Sequence, residues 1–263
     1  MQQRSAWQIQ RAVVFALVMR ELKTRLGGRW MGVVWLVGEP LAAMTVMLWL
    51  RTDIRDRTER AGYDMVIYTM VSLLPFLMFR NLWTQISRAI TSNSALFIYK
   101  QVKPLDTAWA RTIVELIIKF LVYGIAFMVA SRLDYGPVWP RDTLGYLTVI
   151  LLFTILGFSI GLISCVVVHF VPRLSVLISL TQMPLYLLSG ALFRVDNLPP
   201  TVVQVLMWNP LLHLTELSRL FFLSGYPIMR GIEFAYPVKF TVVLTFLAVC
   251  TYWVNRQELA GRS

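Results

Sequence analysis

Six apolar stretches, at residues 30–50, 65–79, 113–131, 144–170, 174–193 and 238–254, alternate with shorter polar segments. Crossing a bilayer core takes about 20 apolar helical residues, and only helices or closed barrels satisfy their backbone groups there. The second stretch reaches that length only through its polar continuation to Gln85. The pattern predicts an all-α polytopic membrane protein. Its six transmembrane helices fall at 30–50, 63–87, 108–131, 143–170, 174–193 and 236–255, in a single domain spanning 1–263.

The segments between the spans carry the finer organisation. Residues 1–29 combine an apolar run with Arg4, Arg11, Arg20, Lys23, Arg25 and Arg29. At 100° per residue Arg20 and Lys23 fall opposite the other arginines, so two short interfacial pieces fit better than one amphipathic helix. The run at 12–19 is short and lacks the small-residue site of a cleavable signal peptide. Residues 88–104 predict a short soluble helix, with Thr91, Ser92 or Asn93 as N-cap and Pro104 as its stop. Val171, Pro172 and Arg173 leave room only for a tight turn, making spans four and five antiparallel neighbours. Within 194–230 the apolar pieces are broken by Pro199, Pro200, Asn209, Pro210, His213 and Glu216. They predict two re-entrant helices, permitted only where protein or water covers the breaks. Gly157 and Gly161 form a small-xxx-small packing face.

Composition narrows the function. At 57% apolar residues and 15% charged, one membrane bundle uses the whole chain. The net charge of +11 reads through topology rather than as nucleic-acid binding. With both termini cytoplasmic, the inside segments hold 14 Lys/Arg against three acids, and the outside segments nine of each. The four arginines within 51–60 argue against that orientation, although Asp53, Asp56 and Glu59 compensate them. Cys165 and Cys250 lie in apolar runs and predict buried small hydrophobes. His169 and His213 lack metal-ligand spacing, and no phosphate-cradling or nucleophile motif occurs. No catalytic and no metal-binding residue is expected. Glu39, before Pro40, must face the bundle or a cavity; Glu115 and Lys119, at i,i+4, are expected to neutralise each other.

The helix predicted at 90–101 is the most informative polar feature. Channels and ion-coupled transporters have little need of a rigid helix between two spans, whereas a permease driven by a separate ATPase takes force through one. The contact residues would be Ser92, Asn93, Ser94, Leu96, Phe97, Tyr99 and Lys100.

Four blocks then carry a resemblance: MRELKTRLGGRWMGVVWLVGEPL at 19–41, SNSALFIYKQVKPLDTAWARTIVE at 92–115, PLYLLSGALFRVDNLP at 184–199 and WNPLLHLTELSR at 208–219. In this order they resemble the ABC-2 permeases that export capsular polysaccharide in Gram-negative bacteria, of the group 2 type. Gly27, Gly28 and Gly38 depart from the bulkier residues common there. The resemblance implies an inner-membrane homodimer bound to two copies of a cytoplasmic ATPase, which carries the ATP and Mg; this chain itself needs no cofactor. It also implies a periplasmic co-polymerase-type partner and an outer-membrane channel. The substrate would be a lipid-anchored acidic polysaccharide, with O-antigen or teichoic-acid polymers as alternative cargo. An ion-coupled secondary transporter or a non-transporting membrane scaffold are the readings from other classes. A path for such a chain needs aromatic faces and cations. The residues that could supply them are Arg25, Arg29, Trp30, Trp35, Glu39, Tyr68, Phe76, Phe79, Arg80, Trp83, Arg88, Tyr186 and Phe193.

Overall fold

A computed structural model describes residues 5–26, 64–99, 101–191 and 198–261, with isolated positions 34, 38, 42 and 195. Apart from those at 34, 38 and 42, the residues of the first predicted span, 30–50, lie outside them, and with them Arg29, Trp30, Trp35 and Glu39; Lys100 and Phe193 lie outside as well. Among the described residues the helices are α1 (Ala6–Leu26), α2 (Met65–Ser87), α3 (Pro104–Arg132), α4 (Thr143–Phe170), α5 (Leu174–Leu188), α6 (Pro200–Leu206), α7 (Pro210–Phe222) and α8 (Ala235–Leu259). A 3-10 segment, Thr91–Ile98, joins α2 to α3.

α2, α3, α4 and α8 are long and apolar enough to cross a membrane. α2 starts at Asp64, whose carboxylate caps the Val66 N–H at 2.6 Å. It is the most enclosed of the four: Ile67 through Phe79 are all buried. A helix apolar on every side belongs inside a bundle, and α2 packs principally on α4. The two glycines of α4 make this possible. A Cβ on Gly157 would stand 3.0 Å from the Phe79 carbonyl, and one on Gly161 2.8 Å from the Ile86 Cβ. The predicted small-residue face is therefore the α2–α4 seam. α8 joins α4 partly through the Ser159 and Thr245 hydroxyls, 2.9 Å apart.

Several expectations are corrected. Residues 6–26 form one continuous helix rather than two pieces. Arg20 and Arg25, on opposite sides, each find a partner on a different neighbouring element, so periodicity along α1 alone could not decide its continuity. The segment after α2 is a 3-10 helix without a side-chain N-cap, and Pro104 opens α3 instead of ending the segment before it. α5 stops at Leu188, short of the predicted 193, and buries none of its side chains. Cys165 is buried but Cys250 faces outward. The break at Asn209 and Pro210 stands where predicted. There Asn209 Oδ1 accepts the Leu211 N–H at 3.0 Å and caps α7.

Candidate functional site

Two polar clusters organise the described residues. The first lies where α1, the 3-10 segment and α3 meet. Arg20 donates from Nη1 to the Asn93 Oδ1 at 3.0 Å, and Asn93 in turn donates to the Ala89 carbonyl at 2.8 Å. One turn further along α1, Arg25 pairs with Glu115 at 2.6 Å and with Glu21 at 3.1 Å. Arg111 reaches Glu21 at 3.5 Å and donates to the Gln85 carbonyl at 2.6 Å. Lys119 stands 3.8 Å from Glu115. Glu115 is thus held by Lys119 as expected, but more closely by Arg25, 90 positions away in sequence.

Arg25, a candidate path residue, has its guanidinium engaged by two carboxylates within the chain. Arg25→Glu would set three carboxylates together in a site where Glu115 is 2% exposed. Breaking a buried pair by removing one partner costs about 3–5 kcal/mol. The charge swap Arg25→Glu with Glu115→Arg is expected to recover part of that loss in a thermal-unfolding assay in detergent, since it restores the pair but sets position 25 against Glu21 and position 115 against Lys119. A swapped protein that is stable yet inactive would return Arg25 to substrate contact.

The 3-10 segment presents two faces. Asn93 and Phe97, each 6% exposed, point into the chain, whereas Ser92, Ser94, Ile98 and Tyr99 point outward and Leu96 is half-buried. Ile98, absent from the predicted set, is 83% exposed. Asn93 and Phe97, four positions apart, share the inward face, which turns the neighbouring Ile98 outward.

The predicted path residues divide likewise. Tyr68, Phe76, Phe79 and Trp83 are buried within the bundle. The Trp83 indole donates to the Ser164 hydroxyl at 2.8 Å, and Phe76 lies 5.3 Å from the half-buried Tyr186. Gln182 donates to the Thr84 hydroxyl at 2.6 Å, so α5 touches α2 along the side that also carries Arg80. Arg88 is exposed at the end of α2.

The second cluster went unpredicted. Arg219, fully buried on α7, pairs with Glu216 at 2.6 Å and donates from Nη2 to Ser72 at 3.0 Å and to the Gly190 carbonyl at 2.7 Å. Its guanidinium lies 4.2 Å from the centre of the Tyr68 ring. Tyr226 donates to the other Glu216 oxygen at 2.8 Å. Burial holds the Tyr226 hydroxyl well above the ordinary phenol range, so it stays a donor. Three residues of α7 and its cap receive four consecutive carbonyls around the end of α5. Asn209 takes Leu188, Thr215 takes Ser189, and Arg219 takes Gly190 and Ala191. Helix ends leave such carbonyls unpaired, and at membrane depth no water would serve them. His213 ties the other side of α7, accepting the Glu233 N–H at 3.1 Å and meeting the Met207 carbonyl at 3.0 Å.

Among the described residues no group of His, Cys, Asp and Glu could hold a metal ion. The arrangement is one of docking, packing and charge pairing. Residues 12–223 match the family described as ABC-2 type transporter. The chain is 32% identical to the polysialic acid transport protein KpsM of Escherichia coli, over 97% of this chain and 98% of that protein. It is 32% identical to the capsule polysaccharide export inner-membrane protein CtrC of Neisseria meningitidis serogroup A, covering 83% and 80%. To the capsule polysaccharide export inner-membrane protein BexB of Haemophilus influenzae it is 31% identical, covering 80% and 79%. An all-helical bundle with several membrane-length apolar helices, matched over most of its length, places the chain in the ABC-2 type transporter family.

Proposed function

We propose that the chain is the permease subunit of an ATP-driven exporter that carries lipid-anchored capsular polysaccharide across the inner membrane. The observation that carries this reading is the near-full-length similarity to a polysialic acid transport protein and to capsule export inner-membrane proteins. In the working assembly two copies pair, each docked on a cytoplasmic ATPase subunit that binds ATP and Mg. Both termini lie in the cytoplasm and the chain spans six times. A periplasmic partner and an outer-membrane channel continue the route.

Within this reading the 3-10 segment, through Ser92, Ser94, Leu96, Ile98 and Tyr99, is the contact with the motor. Support comes from its attachment: Asn93 fastens it to α1 and to the end of α2, so a push on it moves two helices together. The helices α6 and α7 turn back on the periplasmic side. The path is assigned to the α2–α5 side with Arg80, Arg88 and Tyr186; Arg29, Trp30, Trp35, Glu39 and Phe193, the other expected path residues, lie outside the described residues. Deletion of the coding sequence in its own host is expected to leave polysaccharide inside the cell, with surface capsule restored by the wild-type copy. Surface capsule at parental level in the deletion strain would remove the assignment.

A further inference from the structure

A cavity between three helices belongs to neither polar cluster. It is a cleft of about 1140 Å3 between α1, the start of α3 and the end of α8. α1 packs on α3, and α8 packs on α4 and α7; the cleft lies between α8 and the α1–α3 pair, beside the Tyr252 side chain that reaches the Leu105 backbone. Its polar lining is one-sided. Arg11, Lys103 and Arg256 are all exposed around it, while its one acid, Asp106, is 3% exposed and already accepts from Gln10 and from the Lys103 N–H at 2.9 Å. Trp7, Trp109 and Trp253 stand at the same opening, with the Arg256 guanidinium 3.7 Å from the Trp253 ring centre. Tryptophans and long cations together mark the headgroup level of a bilayer.

A second observation points the same way. Ile113 lines this cleft and also begins a separate, wholly apolar groove of about 510 Å3 formed by Ile113, Leu116, Ile117, Phe120 and Leu121. From Ile113 to Leu121 the helix rises about 12 Å, close to the depth of about 15 Å of one leaflet's hydrocarbon. A cationic, aromatic chamber thus opens into an apolar track of acyl-chain length.

We infer that this cleft and track seat one anionic phospholipid of the surrounding bilayer, headgroup on Arg11, Lys103 and Arg256, one acyl chain along α3. Charge complementarity selects the anionic class, and the track selects a lipid over a free phosphate. Such a lipid would strengthen the link between α8 and α3 that Tyr252 already makes at the Leu105 backbone. The inference stands apart from the identity of the exported cargo.

The test uses the full chain, produced in a host that makes no capsule and placed in nanodiscs of equal phosphatidylglycerol and phosphatidylcholine. Native mass spectrometry of the released protein then counts retained lipid. Wild type is expected to keep phosphatidylglycerol selectively. The triple variant Arg11→Glu, Lys103→Glu, Arg256→Glu, all at exposed positions, is expected to retain it about tenfold less or lower still, with phosphatidylcholine unchanged. Ile113→Trp, which fills the junction without altering charge, is expected to lose it as well. Wild-type retention in the triple variant overturns the proposal and leaves the cleft to a protein partner. Wild-type retention in Ile113→Trp alone overturns the seated chain and reduces the effect to diffuse attraction.

Discussion

Replacing Glu216 with alanine is expected to cost the permease about 3–5 kcal/mol, because it leaves the fully buried Arg219 charge without its carboxylate. The loss extends beyond the pair. Arg219 supplies donors to the Gly190 and Ala191 carbonyls and to the Ser72 hydroxyl, and its position depends on the Glu216 oxygen that faces it. Tyr226 would lose its acceptor too. Thermal unfolding of the purified protein, followed by size-exclusion chromatography in detergent, reads the effect. The double variant Glu216→Met with Arg219→Met should be more stable than Glu216→Ala alone, since neither charge then remains to be buried. Equal losses in the single and double variants would show that the carbonyl contacts of Arg219, rather than its charge balance, hold the junction.

That junction also explains what the sequence could and could not reveal. Long apolar runs were legible because length alone selects a spanning helix, and α3, α4 and α8 follow within a few residues. Gly157 and Gly161 were legible as a packing face because a spacing of four puts both on one side of a helix. Asn209 and Pro210 broke the chain where expected, since proline restricts the residue before it. The end of α5 was not legible. Residues 189–193 are as apolar as the helix before them, and the helix stops because Gly190 adopts φ +67 and α7 receives the freed carbonyls. This is a contact between residues 20 to 30 positions apart.

The same limit hid the partner of Glu115. Lys119 offered the local solution, and only the packing of α1 on α3 brings Arg25 to 2.6 Å. The continuity of α1 escaped for a related reason. Cations on opposite faces argue against an interfacial helix in isolation, yet Arg20 and Arg25 are each taken up by a different neighbour. Arg219 sat in a segment whose acids and bases looked like an ordinary outer loop. The spacing of three between Glu216 and Arg219 was visible, but their burial was not.

Ile98→Asp is expected to abolish export and to cut ATPase association about thirtyfold or more, leaving the permease itself as stable as wild type. The side chain is 83% exposed, so a carboxylate there stays in water until the motor docks. On docking it must be desolvated against an apolar groove, and a central contact of that kind is worth about 2 kcal/mol or more. Phe97→Asp is the informative contrast. Phe97 is 6% exposed within the chain's own core, so aspartate there buries an unpaired charge before any partner arrives and should lower the melting temperature of the isolated permease. Export would be lost in both variants, for different reasons. Co-purification of the ATPase with each variant, alongside thermal unfolding of the permease alone, separates the two. Wild-type export and full ATPase retention in Ile98→Asp would mean that the motor pushes elsewhere, and the 3-10 segment would then serve only to join α1 to α2.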